Sequence, residues 1–164
     1  MKKIIGIVLI AFTFYNFTNT TVSREAFVGH WVWKSQNQTF KVHFYKSYEM
    51  LKGDYEMVEN VNGIERTIYK SNRIIDKTFN LPFGNAISGN TSDGKIFMGI
   101  IKDNVLLGDS IHGIKEGQLK LVLKSSKTIK WEVTPLISYR KKVKKTPENF
   151  TIPTDITLTK VLTH

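Results

Sequence analysis

Residues 27–44 of this chain, FVGHWVWKSQNQTFKVHF, decide its fold class. Trp31 and Trp33 stand two residues apart just after a glycine, and a polar break separates them from a second run. In that run Phe40 and Phe44 alternate with polar side chains, which is the period-two pattern of a strand with one buried face. The stretch therefore predicts β-structure whose large aromatic side chains share one face.

The same alternation recurs along most of the chain. It is found in GDYEMVE, IERTIYK, NAISGN, GKIFMGIIKDN, QLKLVLKSS, TIKWEVT and DITLTKVL, with NVLLGDSIHGIKEG as a further strand. Asn62-Gly63 predicts a hairpin, because both residue types tolerate positive φ. Residues 71–84 have no clear period, so a loop, a short helix or a segment closing one end of the fold are all open. The pattern predicts an all-β fold, an antiparallel barrel or sandwich of about 8–10 strands.

The first 23 residues have the composition of a secretory signal peptide. A basic start precedes an apolar run from Ile4 to about Phe14, and small and polar residues follow. The run is too short for a membrane-spanning helix, which needs about 20 apolar residues. We therefore predict that residues 1–23 are cleaved, with an uncleaved anchor as the alternative. The remaining 164 − 23 = 141 residues, 24–164, are predicted to be one domain, secreted or periplasmic, soluble and monomeric.

The chain is basic, with a formal net charge of +10 that falls to 10 − 2 = +8 once the two lysines of the leader are removed. The charge is thinly spread except in RKKVKK, within a polar, proline-containing excursion predicted at 134–153. The basic residues of this run are Arg140, Lys141, Lys142, Lys144 and Lys145. Such a run is typical of a solvated loop, and it also suits an anionic surface. Nucleic acid is not expected as a partner, because the protein is predicted to be exported and no aromatic residue interrupts the run.

Gly29-His30-Trp31 resembles the Gly-x-Trp motif that opens the first strand of lipocalins and their calycin relatives. In those families the tryptophan lies across the closed end of an up-and-down barrel. The resemblance implies that Gly29 allows close backbone approach, that Trp31 seals the core, and that the fold is a calycin/lipocalin-like barrel.

A second resemblance covers nearly all of residues 27–161. The stretches VGHWVWKSQNQTFKVHFYK, LKGDYEMVENVNG, NAISGN, LKLVLKSSKTIKWEV and FTIPTDITLTK are similar to a family of small secreted bacterial proteins of unknown function. This resemblance supports the fold and the export prediction and implies no activity. That family's pattern has a cysteine near the cleavage site. This chain has none, which leaves a lipid anchor without its attachment residue.

Six aromatic residues on the predicted inner faces are candidates for contact with a ligand: Trp31, Phe40, Phe44, Tyr55, Phe97 and Trp131. An eight-stranded barrel has just enough interior to be filled by side chains or to hold one small ligand. The aromatic residues therefore indicate either core packing or a cavity for a small apolar or amphipathic molecule. We predict a non-catalytic binding protein. The alternative is a solid-core protein that uses its basic surface on an anionic envelope component or a polysaccharide.

Residues that carry catalysis or bind metals are sparse. His30 and His43 approach each other if their strands pair, but no third ligand is evident, so no metal site is predicted. Asp54 and Glu56 share a strand face, and an enzyme using one of them at the barrel mouth is a further hypothesis. The chain has no cysteine nucleophile and no Gly-x-Ser-x-Gly motif. We therefore predict that the protein is not an enzyme and uses no cofactor.

Overall fold

The computed structural model of the chain describes residues 24–71, 74–76, 81–82, 85–105, 115–136 and 149–162, without the side chains of 74–76 and 81–82. A 3-10 turn at Arg24–Ala26 precedes the strands. The strands are β1 (Gly29–Ser35), β2 (Gln38–Ser47), β3 (Met50–Val61), β4 (Ile64–Lys70), β5 (Ile74–Asp76), β6 (Leu81–Pro82), β7 (Ile87–Thr91), β8 (Ile96–Asp103), β9 (Lys115–Ser125), β10 (Thr128–Pro135) and β11 (Asp155–Lys160). In this described part of the chain, no helix is long and apolar enough to cross a membrane.

Eight strands form a closed antiparallel barrel. Their order is β1, β2, β3, β7, β8, β9, β10 and β11, and β11 pairs back with β1 to close the ring. Two strands share one edge of β3: residues 51–53 pair with β7, and residues 56–61 pair with β4. β4 is therefore an additional strand outside the ring. The prediction of an all-β antiparallel barrel is confirmed.

The turns follow the local sequence. Asn62 and Gly63 have φ values of 53° and 84°, as the predicted hairpin between β3 and β4 requires. Asp93 shapes the turn between β7 and β8, where its Oδ1 accepts hydrogen bonds from the backbone N–H groups of Lys95 at 2.9 Å and Ile96 at 2.8 Å. These contacts hold the pKa of the Asp93 carboxyl below its usual range.

The two ends of the barrel differ. One end, which we call the plug end, carries the 3-10 turn and the short β2–β3, β7–β8 and β9–β10 connections. The other end carries the longer connections. Residues 149–154, which we call the strap, run over that end and contact β4, β8, β9 and β10. We call this the strap end.

Large side chains fill the interior. The largest fully buried ones are Trp31, Trp131, Phe27, Phe40, Phe44 and Phe97. Gly89 and Gly99 stand directly opposite each other on β7 and β8, and a Cβ at either position would lie within 2.7 Å of the Phe97 ring. Because neither glycine has a side chain, the Phe97 ring can pack directly over the backbone of β7 and β8 at these two positions.

Several predicted features lie outside the described residues. They are the signal peptide at 1–23, the basic run at 140–145, and most of the predicted NVLLGDSIHGIKEG strand, of which β9 describes the part from Lys115 onward. Of the excursion predicted at 134–153, residues 134–135 belong to β10 and residues 149–153 belong to the strap.

Candidate functional site

Trp31 is fully buried near the plug end. Its indole Nε1 donates a hydrogen bond to the carbonyl oxygen of Phe27 at 2.7 Å, and the Lys160 ammonium lies 5.2 Å from the centre of the indole ring. That distance is within the range of a cation–π contact. Gly29 has a φ of 121°, and a Cβ there would lie 3.2 Å from Lys160 Cε, so the glycine allows the lysine to pass close by. The 3-10 turn, β1 and β11 are thereby tied together.

The six predicted ligand-contact residues all face the interior. Five of them are 0% exposed, and Tyr55 is 3% exposed. Phe40 links two of its neighbours, because its ring centre lies 5.5 Å from that of Trp131 and 5.8 Å from that of Tyr55. A side chain that lines an open cavity keeps accessible surface, so the packing around these residues is that of a filled core. Their contact with a ligand stays a prediction.

Asp103 is the most unusual residue at the strap end. It is the last residue of β8, it shares the inward parity of Phe97 and Ile101, and it is 0% exposed. Its Oδ2 accepts a hydrogen bond from the backbone N–H of Thr151 in the strap at 2.5 Å. Its Oδ1 has no hydrogen-bond partner among the described residues. A buried carboxylate oxygen of this kind is open to a donor from outside the fold.

Two tyrosines adjoin Asp103 but give their protons elsewhere. The Tyr55 hydroxyl donates to the carbonyl oxygen of Lys102 at 2.8 Å, and the Tyr69 hydroxyl donates to the carbonyl oxygen of Thr151 at 3.2 Å. Burial, with a smaller contribution from the negative charge of Asp103, raises the pKa of Tyr55 far above its usual value and the pKa of Tyr69 to about 12. Both phenols therefore keep their protons at neutral pH.

Apolar side chains lie at the same end of the barrel. Trp33 and Met57 are both paired with Phe40 across the sheet, one from each side, and Trp33 is only half-buried. Phe150 of the strap is also half-buried, and its Cζ lies 2.9 Å from the position that a Cβ of Gly117 would occupy. The strap end thus combines one carboxylate oxygen in need of a donor with apolar surface that is not fully covered.

The outer face of the barrel carries the remaining candidates. His30 and His43 are directly opposite each other on β1 and β2, so their predicted approach is confirmed. Asp54 accepts hydrogen bonds from Ser71 Oγ at 3.4 Å and Tyr45 Oη at 3.5 Å, and its side chain is on the face opposite to Tyr55.

Glu56 is on the same outer face, where its Oε1 lies 3.9 Å from Lys41 Nζ. The enzyme hypothesis required Asp54 or Glu56 to line the barrel mouth, and neither does. Among the residues that the structure describes, no group of three or more histidine, aspartate or glutamate side chains is arranged to hold a metal ion.

These features define a small, closed antiparallel β-barrel with a filled core and a polar cluster under a strap at one end. The chain belongs to a family of unknown function, DUF6705, whose model matches residues 1–161. No curated protein and no solved structure matches the chain.

Sequence reasoning missed the main residues of the strap-end cluster, which are Asp103, Tyr69 and Thr151. For Asp103 a signal existed, because it continues the inward-facing series through Phe97 and Ile101 at intervals of two. For Thr151 none existed, because its contact with Asp103 joins residues 48 positions apart.

Proposed function

We propose that this protein is an exported, non-catalytic binding protein that takes one small amphipathic molecule at the strap end of its barrel. The observation that carries the proposal is Asp103, a fully buried carboxylate with one oxygen left without a partner among the described residues. Its ligand would present a hydrogen-bond donor, preferably an ammonium group, to Asp103 Oδ1. The secretory composition of residues 1–23 supports export.

The energetics of burial support this role for Asp103. Leaving a buried acceptor unsatisfied costs about 1–3 kcal/mol, and more when the group is charged. Tyr55 and Tyr69 do not relieve that cost, because each hydroxyl donates its proton to a carbonyl oxygen. An ammonium or hydroxyl group on a ligand would supply the missing donor. A buried charge that lowers the stability of the ligand-free protein is expected at a binding site, because function is often retained there at a cost in stability.

The packing of the barrel limits the shape of the ligand. Trp31 and Phe97, towards the plug end, are fully buried. The apolar part of a ligand would therefore contact Trp33, Met57 and Phe150 near the strap. Asp103 is itself covered, so binding would require the strap to shift at Thr151. The ligand would therefore be short and amphipathic.

Matched ligands that differ only in their head group test the proposal. Octylamine, octanol and octanoate would be titrated into the purified protein while tryptophan fluorescence is recorded, with Trp33→Phe identifying the signal of the half-buried indole. We expect the amine to bind most tightly and the carboxylate least. Asp103→Asn should weaken amine binding at least tenfold, because a hydrogen bond to a charged group contributes about 1.5–3 kcal/mol. Absence of binding by all three, or an order unchanged by Asp103→Asn, would contradict the proposal.

A solid-core interaction protein is the second candidate function. It is favoured by the complete burial of Trp31, Phe40, Phe44, Phe97 and Trp131, which leaves the surface as the place of action. The basic run at 140–145 would then contact an anionic envelope component or a polysaccharide. Retention on immobilised heparin that falls with salt, and disappears when the five basic residues are replaced by glutamine, would support this function. Retention that is unchanged by those replacements would exclude the run as the contact.

A further inference from the structure

We propose that His30 and His43 form a surface site for one divalent transition-metal ion of the Zn²⁺, Cu²⁺ and Ni²⁺ group. Both side chains are exposed, and they face each other directly across the β1–β2 pair. Their rings are stacked, with centres 4.2 Å apart and planes inclined by 7°. Neutral imidazole is a protein ligand that suits all three ions. The site is on the outside of the barrel and does not depend on the strap-end proposal.

Chelation sets both the distance between the two rings and their orientation. With metal–nitrogen bonds of about 2.0–2.1 Å and a tetrahedral angle, two ligating nitrogens are about 3.3 Å apart. Ring centres 4.2 Å apart are compatible with that separation, but a metal lies in the plane of each imidazole that binds it, so the two nearly parallel rings must turn out of their stacked arrangement to share one ion. Both residues are exposed, so each side chain can turn about its χ angles to bring a nitrogen lone pair towards a shared ion while the backbone stays in place.

The backbone beneath the pair is well supported. The β1–β2 ladder runs from Gly29 opposite Phe44 to Ser35 opposite Gln38, so the Cα atoms of the two histidines are held in register on both sides. The protein therefore loses little backbone freedom when both histidines bind one ion. Water would complete the coordination of the metal, as in open sites with few protein ligands.

The neighbouring charges also suit a cation. Asp54 is the residue of β3 directly opposite His43, so a carboxylate continues the row from β1 across β2. A carboxylate next to a ligating imidazole favours metal binding by orienting the ring and raising its basicity. The nearest lysine along β2, Lys41, is engaged by Glu65, with its Nζ 2.7 Å from Oε2. Its positive charge is therefore partly compensated.

Calorimetric titration of the purified protein with Zn²⁺ tests the site. We expect one ion per chain, with affinity reduced at least tenfold by His30→Asn or His43→Asn, because either change leaves a single imidazole. His112→Asn removes a histidine outside the pair and should leave binding unchanged. Both replaced side chains of the pair are exposed, so urea unfolding of these variants should match that of the parent protein.

A paramagnetic probe locates the ion. Substoichiometric Cu²⁺ should broaden the ring resonances of His30 and His43 before those of any other histidine. No binding of Zn²⁺ to the parent protein would overturn the proposal. Unchanged affinity in the His30→Asn/His43→Asn double variant would also overturn it, because the ion would then be bound elsewhere.

Discussion

Replacing Gly89 with alanine tests how closely β8 and the Phe97 ring pack against β7. A Cβ at this position would lie 2.4 Å from the Met98 carbonyl oxygen, 2.5 Å from Gly99 Cα and 2.7 Å from Phe97 Cζ. All three separations are below 3.0 Å, a limit that real Cβ contacts essentially never cross. Two of the three obstacles are backbone atoms of the paired strand β8, so they cannot rotate away.

The expected loss of stability follows from these obstacles. Adding a methylene-sized group to a well-packed core costs about 1–3 kcal/mol, and the backbone clashes place Gly89→Ala at the upper end, about 3 kcal/mol. The entropic gain of alanine over glycine offsets only about 0.4–1 kcal/mol of the loss. The net loss is about 2–2.6 kcal/mol, so in urea unfolding, with an m value of about 1–3 kcal/mol/M, the midpoint should fall by about 0.7–2.6 M while m stays constant.

Gly117→Ala is the matched control. Its Cβ would meet Val133 Cγ1 at 2.7 Å, Phe150 Cζ at 2.9 Å and one backbone atom, the Thr134 carbonyl oxygen, at 3.1 Å, and the half-buried Phe150 ring at the strap can turn aside. We expect a smaller loss of about 1 kcal/mol, because no backbone atom lies within 3.0 Å of this Cβ. If Gly89→Ala destabilises the protein no more than Gly117→Ala does, β7 and β8 do not approach each other as closely at this position as the structure shows, and the reasoning from close packing is refuted.

Three further predictions concern the ends of the barrel. Asp103→Asn should raise the free energy of unfolding of the ligand-free protein by about 1 kcal/mol, measured in urea, because it removes a buried charge and keeps an acceptor for the strap, while the unpaired amide N–H groups that it introduces offset part of the gain; a less stable variant would contradict this. The contribution of Tyr69 to the free energy of unfolding should be fully present below pH 10.0, the ordinary tyrosine pKa, and should be lost as the pH rises through about 12. The reason is that the folded state holds the Tyr69 proton more tightly than the unfolded state does. Tyr55 contributes in the same direction, and the partial exposure of Tyr69 makes its own contribution smaller. Urea midpoints across this pH range should therefore decline less steeply in Tyr69→Phe than in the parent protein, and least in the Tyr55→Phe/Tyr69→Phe double variant. Equal slopes would show that these two phenols do not cause the decline. Trp31→Phe should cost about 1–3 kcal/mol by leaving the Phe27 carbonyl without its indole donor, and an unchanged thermal midpoint would show that this bond does not hold the plug end.

The local pattern of the sequence predicted the walls of the barrel. Alternation placed Phe40 and Phe44 inward, and Asn62-Gly63 placed the hairpin, because both signals act within a few residues. Closure of the ring was not readable in this way. It depends on pairing between β1 and β11, with Trp31 opposite Lys160, across almost the whole chain.

The candidate site was less predictable than the fold. Parity correctly gave the six inner aromatic residues their direction, but their complete burial depends on what stands opposite them, such as Gly89 facing Gly99 beside Phe97. The environment of Asp103 depends on the strap, which packs over β8 only in the tertiary structure. The pairing of His30 with His43 was open until the β1–β2 register was known.

The three indole N–H resonances provide the most direct measurement of where a ligand binds. Trp31 Nε1 donates to Phe27 at the plug end, Trp131 Nε1 donates to the carbonyl oxygen of Pro153 in the strap at 2.8 Å, and Trp33 is half-buried near the strap. In a ¹H–¹⁵N correlation spectrum titrated with octylamine, the resonances of Trp33 and Trp131 should shift while that of Trp31 stays in place. A comparable shift of the Trp31 resonance would mean that the ligand reaches the plug end and that the core is not filled. If none of the three resonances moves at saturating amine, the strap end is not a binding site for this class of molecule.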